Sequence, residues 1–267
     1  MQDFAYHRPE SLDAAVSLRR GAADGAYLAG GMTLIPTLKQ GLAQPSDLVD
    51  LGALKDLAGI RVDGGGVTIG AMTRHAAVAA SDEVKRAIPA LADLAGGIGD
   101  RQVRNRGTIG GSLANSDPAA DYPAAVVGLG ASVRTDRRAI AGDDYFKDLF
   151  ETALEPGELI REVAFPAPVR AAYRKFAHPA SRFALVGAFV ADFGGGNVRV
   201  GITGAGPCAF RATSFEQALA SNLDPAALDG ASIDASRFNS DLAASAEFRA
   251  QLVKVMAKRA VADLLAR

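Results

Sequence analysis

Two glycine-rich loops of this 267-residue chain carry the residue types that could hold a phosphate group. The first glycine loop, residues 29–34, contains Gly30 and Gly31 and lies between a predicted strand and a predicted helix. The second glycine loop, residues 107–112, places glycines between hydroxyl side chains. Where side chains are missing, backbone N–H groups can approach an anion closely and converge on it. Together the loops predict a diphosphate held from two sides.

Neither loop has the spacing of the common nucleotide-binding motifs. The chain contains neither G-x-G-x-x-G nor the P-loop pattern G-x-x-x-x-G-K-[ST]. We therefore do not expect a nicotinamide site of the Rossmann type. Two further glycine runs, residues 64–66 and 194–196, stand between stretches of alternating hydrophobicity, and we interpret them as turns.

Two aspartates follow the second glycine loop. Asp117 precedes Pro118, a pairing that is typical of a helix N-terminus, so it is either a helix cap or a ligand-binding group. Asp121 lies in an otherwise uncharged stretch, residues 119–133. A carboxylate in such surroundings needs a partner, and a sugar hydroxyl would be a suitable one.

Other chemistries lack their residue patterns. His7, His75 and His178 are scattered without metal-ligand spacing, and we interpret them as structural or surface residues. No G-x-S-x-G elbow is present. The single cysteine, Cys208, excludes an intramolecular disulfide and a four-thiolate iron–sulfur cluster within this chain. We predict no metal site and no catalytic side chain.

Charge and hydropathy place further bounds on function. The net charge of −1 gives no support for nucleic-acid binding. The basic group Arg101, Arg104 and Arg106 is either a solvated face or the lining of a phosphate or partner site. The longest uncharged run, residues 122–133, is shorter than a membrane span, and the chain begins without a secretory pattern. We therefore expect a soluble, cytoplasmic protein.

The elements that would position these residues alternate between helices and strands. Period-2 and period-3.6 patterns predict an α+β fold. Three parts are expected, at residues 1–57, 58–171 and 172–267. The predicted helices are residues 12–20, 34–40, 89–96 and 248–265, with another beginning at residue 81; the predicted strands are residues 26–29, 46–51, 59–62, 67–70, 183–193 and 198–203.

Several segments together resemble a known family. They are residues 4–9, 28–36, 98–111 and 117–121, with Glu158-Leu159-Ile160 and Tyr173-Arg174-Lys175-Phe176 further on. This set is similar to the flavoprotein (medium) subunit of molybdenum hydroxylases, a group that includes aerobic carbon monoxide dehydrogenase and xanthine dehydrogenase. The resemblance extends to about residue 212, and the last 55 residues match only in helical character.

The resemblance implies an FAD-binding fold of the vanillyl-alcohol-oxidase (PCMH) type. Two α/β FAD-binding subdomains would be followed by a C-terminal domain with a three-stranded antiparallel sheet plus helices. One side of the FAD pyrophosphate would be wrapped by Tyr27, Leu28, Ala29, Gly30, Gly31, Met32, Thr33 and Leu34, with only backbone contact from Met32. The other side would be clasped by Thr108, Ile109, Gly110, Gly111 and Ser112. Ile98 would pack near the cofactor, Asp121 would hold a sugar or ribityl hydroxyl, and Ile160 and Lys175 would lie at the isoalloxazine ring.

The resemblance also implies an activity and partners. The chain would be an FAD-dependent electron-transfer subunit in a dimer of heterotrimers, with a large molybdenum-cofactor subunit and a small subunit carrying two [2Fe-2S] clusters. Electrons from those clusters would pass through FAD to a quinone, oxygen or NAD+. The alternatives are a free-standing flavin oxidoreductase of the same fold and a scaffold subunit that has lost its flavin. If the chain is the FAD-dependent electron-transfer subunit, a positively charged Lys175 would raise the flavin's electron affinity.

Overall fold

A computed structural model describes residues 3–266, which begin with a small parallel sheet. Its elements are β1 (Ala5–His7), α1 (Leu12–Gly21), β2 (Gly25–Leu28), α2 (Leu34–Lys39) and β3 (Asp47–Asp50), followed by 3-10 turns at Leu51–Ala53 and Lys55–Leu57. The strands lie in the order β1–β3–β2, and β3 is parallel to both neighbours. Parallel strands need a crossover, which α2 provides. The first glycine loop therefore lies at the carboxyl end of β2.

The central part is a five-stranded antiparallel sheet with short helices packed beside it. In chain order its elements are β4 (Ile60–Asp63), β5 (Gly66–Gly70), α3 (His75–Ala80), α4 (Asp82–Ala87), α5 (Pro89–Gly96), α6 (Arg101–Arg106), α7 (Ile109–Asn115), α8 (Tyr122–Gly128), β6 (Ser132–Thr135), β7 (Ala139–Ala141), α9 (Gly142–Tyr145), β8 (Phe146–Asp148), β9 (Glu151–Thr152) and β10 (Ile160–Pro166). The sheet order is β4–β5–β10–β6–β7, and β8 pairs with β9 apart from it. The second glycine loop joins α6 to α7 and continues into the latter.

The C-terminal part is an antiparallel sheet covered by helices. It comprises β11 (Arg170–Ala177), β12 (Ala184–Asp192), β13 (Val198–Thr203), β14 (Phe210–Arg211), α10 (Thr213–Ser221), a 3-10 turn at Pro225–Leu228 and α11 (Ala246–Ala266). The order is β11–β12–β13–β14, so the two-residue β14 extends the three strands that were expected. Every residue of β12 is buried. Such a strand needs apolar cover on both faces.

Helix α8 joins the central part to the C-terminal sheet. A Cβ added at Gly201, on β13, would lie 2.2 Å from the carbonyl oxygen of Ala124 on α8, so only glycine allows this backbone contact. Tyr122 and Val126 of the same helix are fully buried in a cluster that also contains Phe189 of β12. This packing fixes the start of α8, and with it Asp121, against the C-terminal sheet.

The sequence predictions of helices and strands are confirmed to within a few residues. The interpretation of Asp117 as a helix cap is wrong. Its Oδ1 accepts a hydrogen bond from the backbone N–H of Ala119 at 2.8 Å, but this closes a turn, and the helix begins only at Tyr122. Within residues 3–266, no helix is long and apolar enough to cross a membrane.

Candidate functional site

A cavity of about 320 Å³ lies where the two glycine loops meet the start of α8. The first loop reaches it from the end of β2, the second from the start of α7, and one side chain arrives from the β11–β12 connection. Its lining residues are Ala26, Tyr27, Ala29, Gly30, Gly31, Met32, Thr33, Leu34, His75, Ile98, Val103, Gly107, Thr108, Gly111, Ser112, Ala114, Asn115, Asp117, Ala120, Asp121 and Phe183. The sequence prediction that the two loops face one site is thus supported by their shared cavity.

The first glycine loop offers unused backbone donors to this cavity. Gly31 has a φ of +74°, a left-handed conformation that favours glycine. Among the described residues, the backbone N–H groups of residues 30–33 donate to no protein acceptor, while the carbonyl of Gly31 accepts from Ile35 N. Four consecutive unpaired donors beside a cavity are suited to an anion.

Gly30 has a structural role in addition to the one expected of it. A Cβ at this position would lie 2.1 Å from the carbonyl oxygen of Arg106 and 2.9 Å from the Cα of Gly107. The missing side chain therefore lets the first loop contact the second loop directly. It is the contact between the two loops, as well as the approach of a ligand, that requires glycine here.

The second glycine loop has little backbone donor capacity left. Thr108 caps α7, and its Oγ1 accepts from the backbone N–H of Gly111 at 3.2 Å. The N–H groups of Ile109, Gly110 and Ser112 donate to backbone carbonyls of Thr73, Ala71 and Thr108 respectively. This loop can contribute hydroxyl groups and a close surface, whereas the amides of residues 109–112 are already engaged.

Asp121 also lines the cavity and is buried. Its Oδ1 accepts from the hydroxyl of Tyr173 at 2.6 Å and lies 2.9 Å from the Nζ of Lys175. Lys175 also donates to the carbonyl oxygen of Gly97 at 2.8 Å. Burial raises the pKa of Asp121, against the opposing influence of Lys175 and Tyr173. Tyr173 and Lys175 are therefore the partners that a carboxylate at this position needs. The carboxylate oxygens still have lone pairs that can accept a hydrogen bond from a ligand hydroxyl.

The predicted site residues divide into those that line the cavity and those that do not. Twelve line it, namely Tyr27, Ala29, Gly30, Gly31, Met32, Thr33, Leu34, Ile98, Thr108, Gly111, Ser112 and Asp121. Five lie outside the lining, namely Leu28, Ile109, Gly110, Ile160 and Lys175. Of these, Ile109 is completely buried, and a Cβ at Gly110 would lie 2.6 Å from the Cβ of Ala71, so both pack against protein. Lys175 is one contact away, behind Asp121.

Sequence reasoning missed several lining residues. His75, Val103 and Phe183 come from α3, α6 and the β11–β12 connection, and no local pattern joins them to the glycine loops. His75 was interpreted as structural or surface; it is buried, and burial, assisted by Arg104, lowers its pKa to about 4. The basic group Arg101, Arg104 and Arg106 does not line the cavity. Within residues 3–266, there is also no group of three or more His, Cys, Asp or Glu residues placed to hold a metal ion.

The arrangement fits a ligand with an anionic linker and hydroxyl groups. Unpaired amides at residues 30–33 suit a diphosphate, and the carboxylate of Asp121 suits a sugar or ribityl hydroxyl. Apolar walls from Ile98, Val103 and Phe183 suit flat rings. An α+β fold with this cavity is suited to a dinucleotide, whose diphosphate links two flat ring systems.

Comparison with known proteins gives the particular family. Residues 2–168 match the family described as "FAD binding domain in molybdopterin dehydrogenase", and residues 171–264 match "CO dehydrogenase flavoprotein C-terminal domain". The carbon monoxide dehydrogenase medium chain of Afipia carboxidovorans is 37% identical, with 99% of this chain and 97% of that protein covered. The glyceraldehyde dehydrogenase medium chain of Sulfolobus acidocaldarius is 32% identical, with 98% of each covered. In reconstituted CO dehydrogenase from Oligotropha carboxidovorans, one chain matches with a TM-score of 0.91 at 36% identity, covering 99% of this chain and 98% of that one.

The chain belongs to the FAD-binding medium subunits of the molybdenum hydroxylase family. It is an FAD-dependent oxidoreductase subunit with the PCMH-type fold, and its cofactor is FAD. The predicted family, fold class and cofactor are confirmed.

Proposed function

We propose that this chain is the electron-transfer subunit of a molybdenum hydroxylase complex. It accepts electrons from [2Fe-2S] clusters in a small partner subunit and passes them to an external acceptor such as a quinone, oxygen or NAD+. Bound FAD supplies the redox chemistry, since a flavin can take up electrons singly and release them in pairs. One cysteine cannot hold the clusters, which supports their location in another chain.

The observation that carries the FAD site is the set of four unpaired donors at residues 30–33 in the wall of a cavity that also contains Asp121. We assign the pyrophosphate to the space between the first glycine loop and residues 108–112. Asp121 accepts a hydroxyl of the sugar or ribityl chain. Ile98 packs against the cofactor, while Ile160 and Lys175 act on the isoalloxazine end, Lys175 through its contact with Asp121. No side chain of this chain is assigned a catalytic role.

We also propose the assembly and its context. Three subdomains, residues 1–57, 58–171 and 172–267, would act together, the first two around FAD. The complex would contain a large molybdenum-cofactor subunit and the small [2Fe-2S] subunit, as a dimer of heterotrimers in the cytoplasm. Similarity over nearly the whole length to proteins named as medium chains supports a multi-subunit complex.

Three measurements test this function. The absorption spectrum of the purified chain, with chromatography of what acid releases, should reveal FAD; a colourless chain that takes up no added FAD would favour a scaffold. A tagged chain isolated from its source should co-purify with two other subunits. On rapid mixing, reduction of the partner's clusters should then be followed by bleaching of the flavin. Isolation of a flavin-loaded chain without partners, active on a substrate by itself, would favour a free-standing oxidoreductase.

A further inference from the structure

Within residues 3–266, no lysine or arginine lines the FAD cavity. Its charged lining residues are the two aspartates, Asp117 and Asp121, and His75 is a neutral side chain that can donate a hydrogen bond beside the second glycine loop. A diphosphate carries two negative charges and therefore needs hydrogen-bond donors on every side that it presents to protein. Residues 30–33 provide donors on one side. On the other side, the amides of residues 109–112 are already engaged.

His75 is fixed to that second side. Its backbone N–H donates to the carbonyl oxygen of Gly107 at 3.0 Å, and Arg74 and Thr108 form an antiparallel bridge next to it. A Cβ added at Gly107 would lie 2.6 Å from Nε2 of the imidazole. Glycine at this position therefore makes room for the ring beside the second glycine loop.

The imidazole has polar atoms without partners. His75 is only 4% exposed, and its Nδ1 is fully buried without a hydrogen bond. Nε2 also has no hydrogen-bond partner among the described residues but, unlike Nδ1, it is not fully buried, so it is the ring nitrogen that is accessible from the cavity. A buried polar group without a partner is costly, and a ligand that satisfies it gains affinity.

We propose that His75 positions FAD by donating a hydrogen bond from Nε2–H to an oxygen of the diphosphate, on the side of the second glycine loop. This inference rests on the proposed FAD site. No acceptor competes for a proton on Nδ1, so an anionic oxygen near Nε2 selects the Nε2–H tautomer. His75 thereby adds a donor on a side where the amides of residues 109–112 are already engaged.

The test uses the full-length chain, freed of cofactor and titrated with FAD. In His75→Leu the dissociation constant for FAD should rise about 10- to 100-fold, the effect of one hydrogen bond to a charged group. The inhibition constant of ADP, which has the diphosphate but no flavin, should rise by the same factor. Tyr145→Phe is the matched control, because the hydroxyl of Tyr145 is likewise buried without a hydrogen-bond partner, and Tyr145 lies outside the cavity lining. It should leave both constants unchanged.

Two amide variants separate a specific bond from loss of packing. Glutamine can place its side-chain nitrogen near the position of Nε2, whereas asparagine reaches only as far as Nδ1. His75→Gln should therefore recover most of the affinity and His75→Asn should not, a comparison that stands even if the leucine variant fails to fold. Unchanged FAD affinity in all three variants, or weaker FAD binding with unaltered ADP inhibition, would overturn the role of His75 alone. A wild-type chain that binds neither FAD nor ADP would overturn the proposed site as well.

Discussion

The buried pair of Asp121 and Lys175 allows a quantitative prediction. Nζ of Lys175 lies 2.9 Å from Oδ1 of Asp121, and the two side chains are 13% and 0% exposed. Asp121 immediately precedes α8, and Lys175 lies on β11. The pair therefore joins the central part to the C-terminal sheet. Replacing Lys175 with methionine leaves a buried carboxylate whose remaining side-chain donor is Tyr173.

Removal of one partner from a buried ion pair costs about 3–5 kcal/mol of unfolding free energy. For a domain of this size, each 1 kcal/mol lowers the melting temperature by about 2–4 °C, so 3 kcal/mol corresponds to about 6–12 °C. The cost should depend on pH, because burial raises the pKa of Asp121 and the loss of Lys175 raises it further. A carboxyl group whose pKa is higher in the folded than in the unfolded state binds its proton more tightly in the folded state. The resulting stabilisation is complete below the pKa of the unfolded state, and it is lost as the pH rises towards the pKa of the folded state.

The destabilisation by Lys175→Met should therefore be smallest near pH 4, about the ordinary pKa of an aspartate, and larger at pH 8, with an increase of at most about 1.4 kcal/mol per pH unit. Thermal and urea unfolding at both pH values measure it. Asp121→Asn with Lys175→Met removes both charges, and the double variant should be more stable at pH 8 than Lys175→Met alone. Arg174→Met is the control on the same strand, because Arg174 is 54% exposed in its pair with Asp263 and should contribute less than about 1 kcal/mol. If Lys175→Met cost no more than this control at either pH, the pair would not join the two parts.

Three further predictions concern the loops, acid stability and the flavin. Gly30→Ala should weaken FAD binding at least tenfold and lower the melting temperature, since its Cβ would lie 2.1 Å from a carbonyl oxygen of the second loop; Gly21→Ala, with no atom within 4 Å, is the control for both measurements. Burial alone would raise the pKa of Glu158, but hydrogen bonds, of which the one from Arg138 has the largest effect, lower this pKa to about 2. The lowered pKa of Glu158 contributes about 3 kcal/mol to the free energy of unfolding above pH 4.5, and this contribution is lost as the pH falls towards 2. In acid titrations, the unfolding free energies of Glu158→Gln and wild type should therefore differ at pH 7 and become equal near pH 2. In redox titrations of the FAD-loaded chain, Lys175→Met should lower the flavin potential and Asp121→Asn should raise it; equal potentials would remove their electrostatic role.

Local sequence patterns were sufficient to predict most of the helices and strands. Ser11 and Ser81 cap the helices that follow them, Pro89 begins another, and the glycine turn at residues 64–66 joins β4 to β5. Each of these features depends on side chains within a few residues of the backbone that they organise. The same reasoning failed at Asp117, because a cap-like residue before proline closes a turn equally well when the next residues pack elsewhere.

Local sequence patterns could not predict which residues contact those of the candidate site. Asp121 is separated from Tyr173 and Lys175 by more than 50 positions, and the contact exists because α8 lies on the C-terminal sheet. His75 reaches the cavity through a backbone bond to Gly107 that no local pattern predicts. For Asp121, a polar residue in apolar surroundings was visible in the sequence, but only the tertiary fold determines whether protein or ligand satisfies it.

The two glycine loops show why similar composition need not mean similar chemistry. In the second loop, Gly107 makes room for the His75 ring and Gly110 for Ala71, while the amides of residues 109–112 hold the loop to the β5–α3 connection and to the start of α7. In the first loop, residues 30–33 keep four amides without protein partners. Unpaired amides remain acceptable while water reaches them, and an anion that replaces this water gains from donors already in place. The second loop thus forms a rigid wall, and most of the backbone affinity for the diphosphate must come from the first.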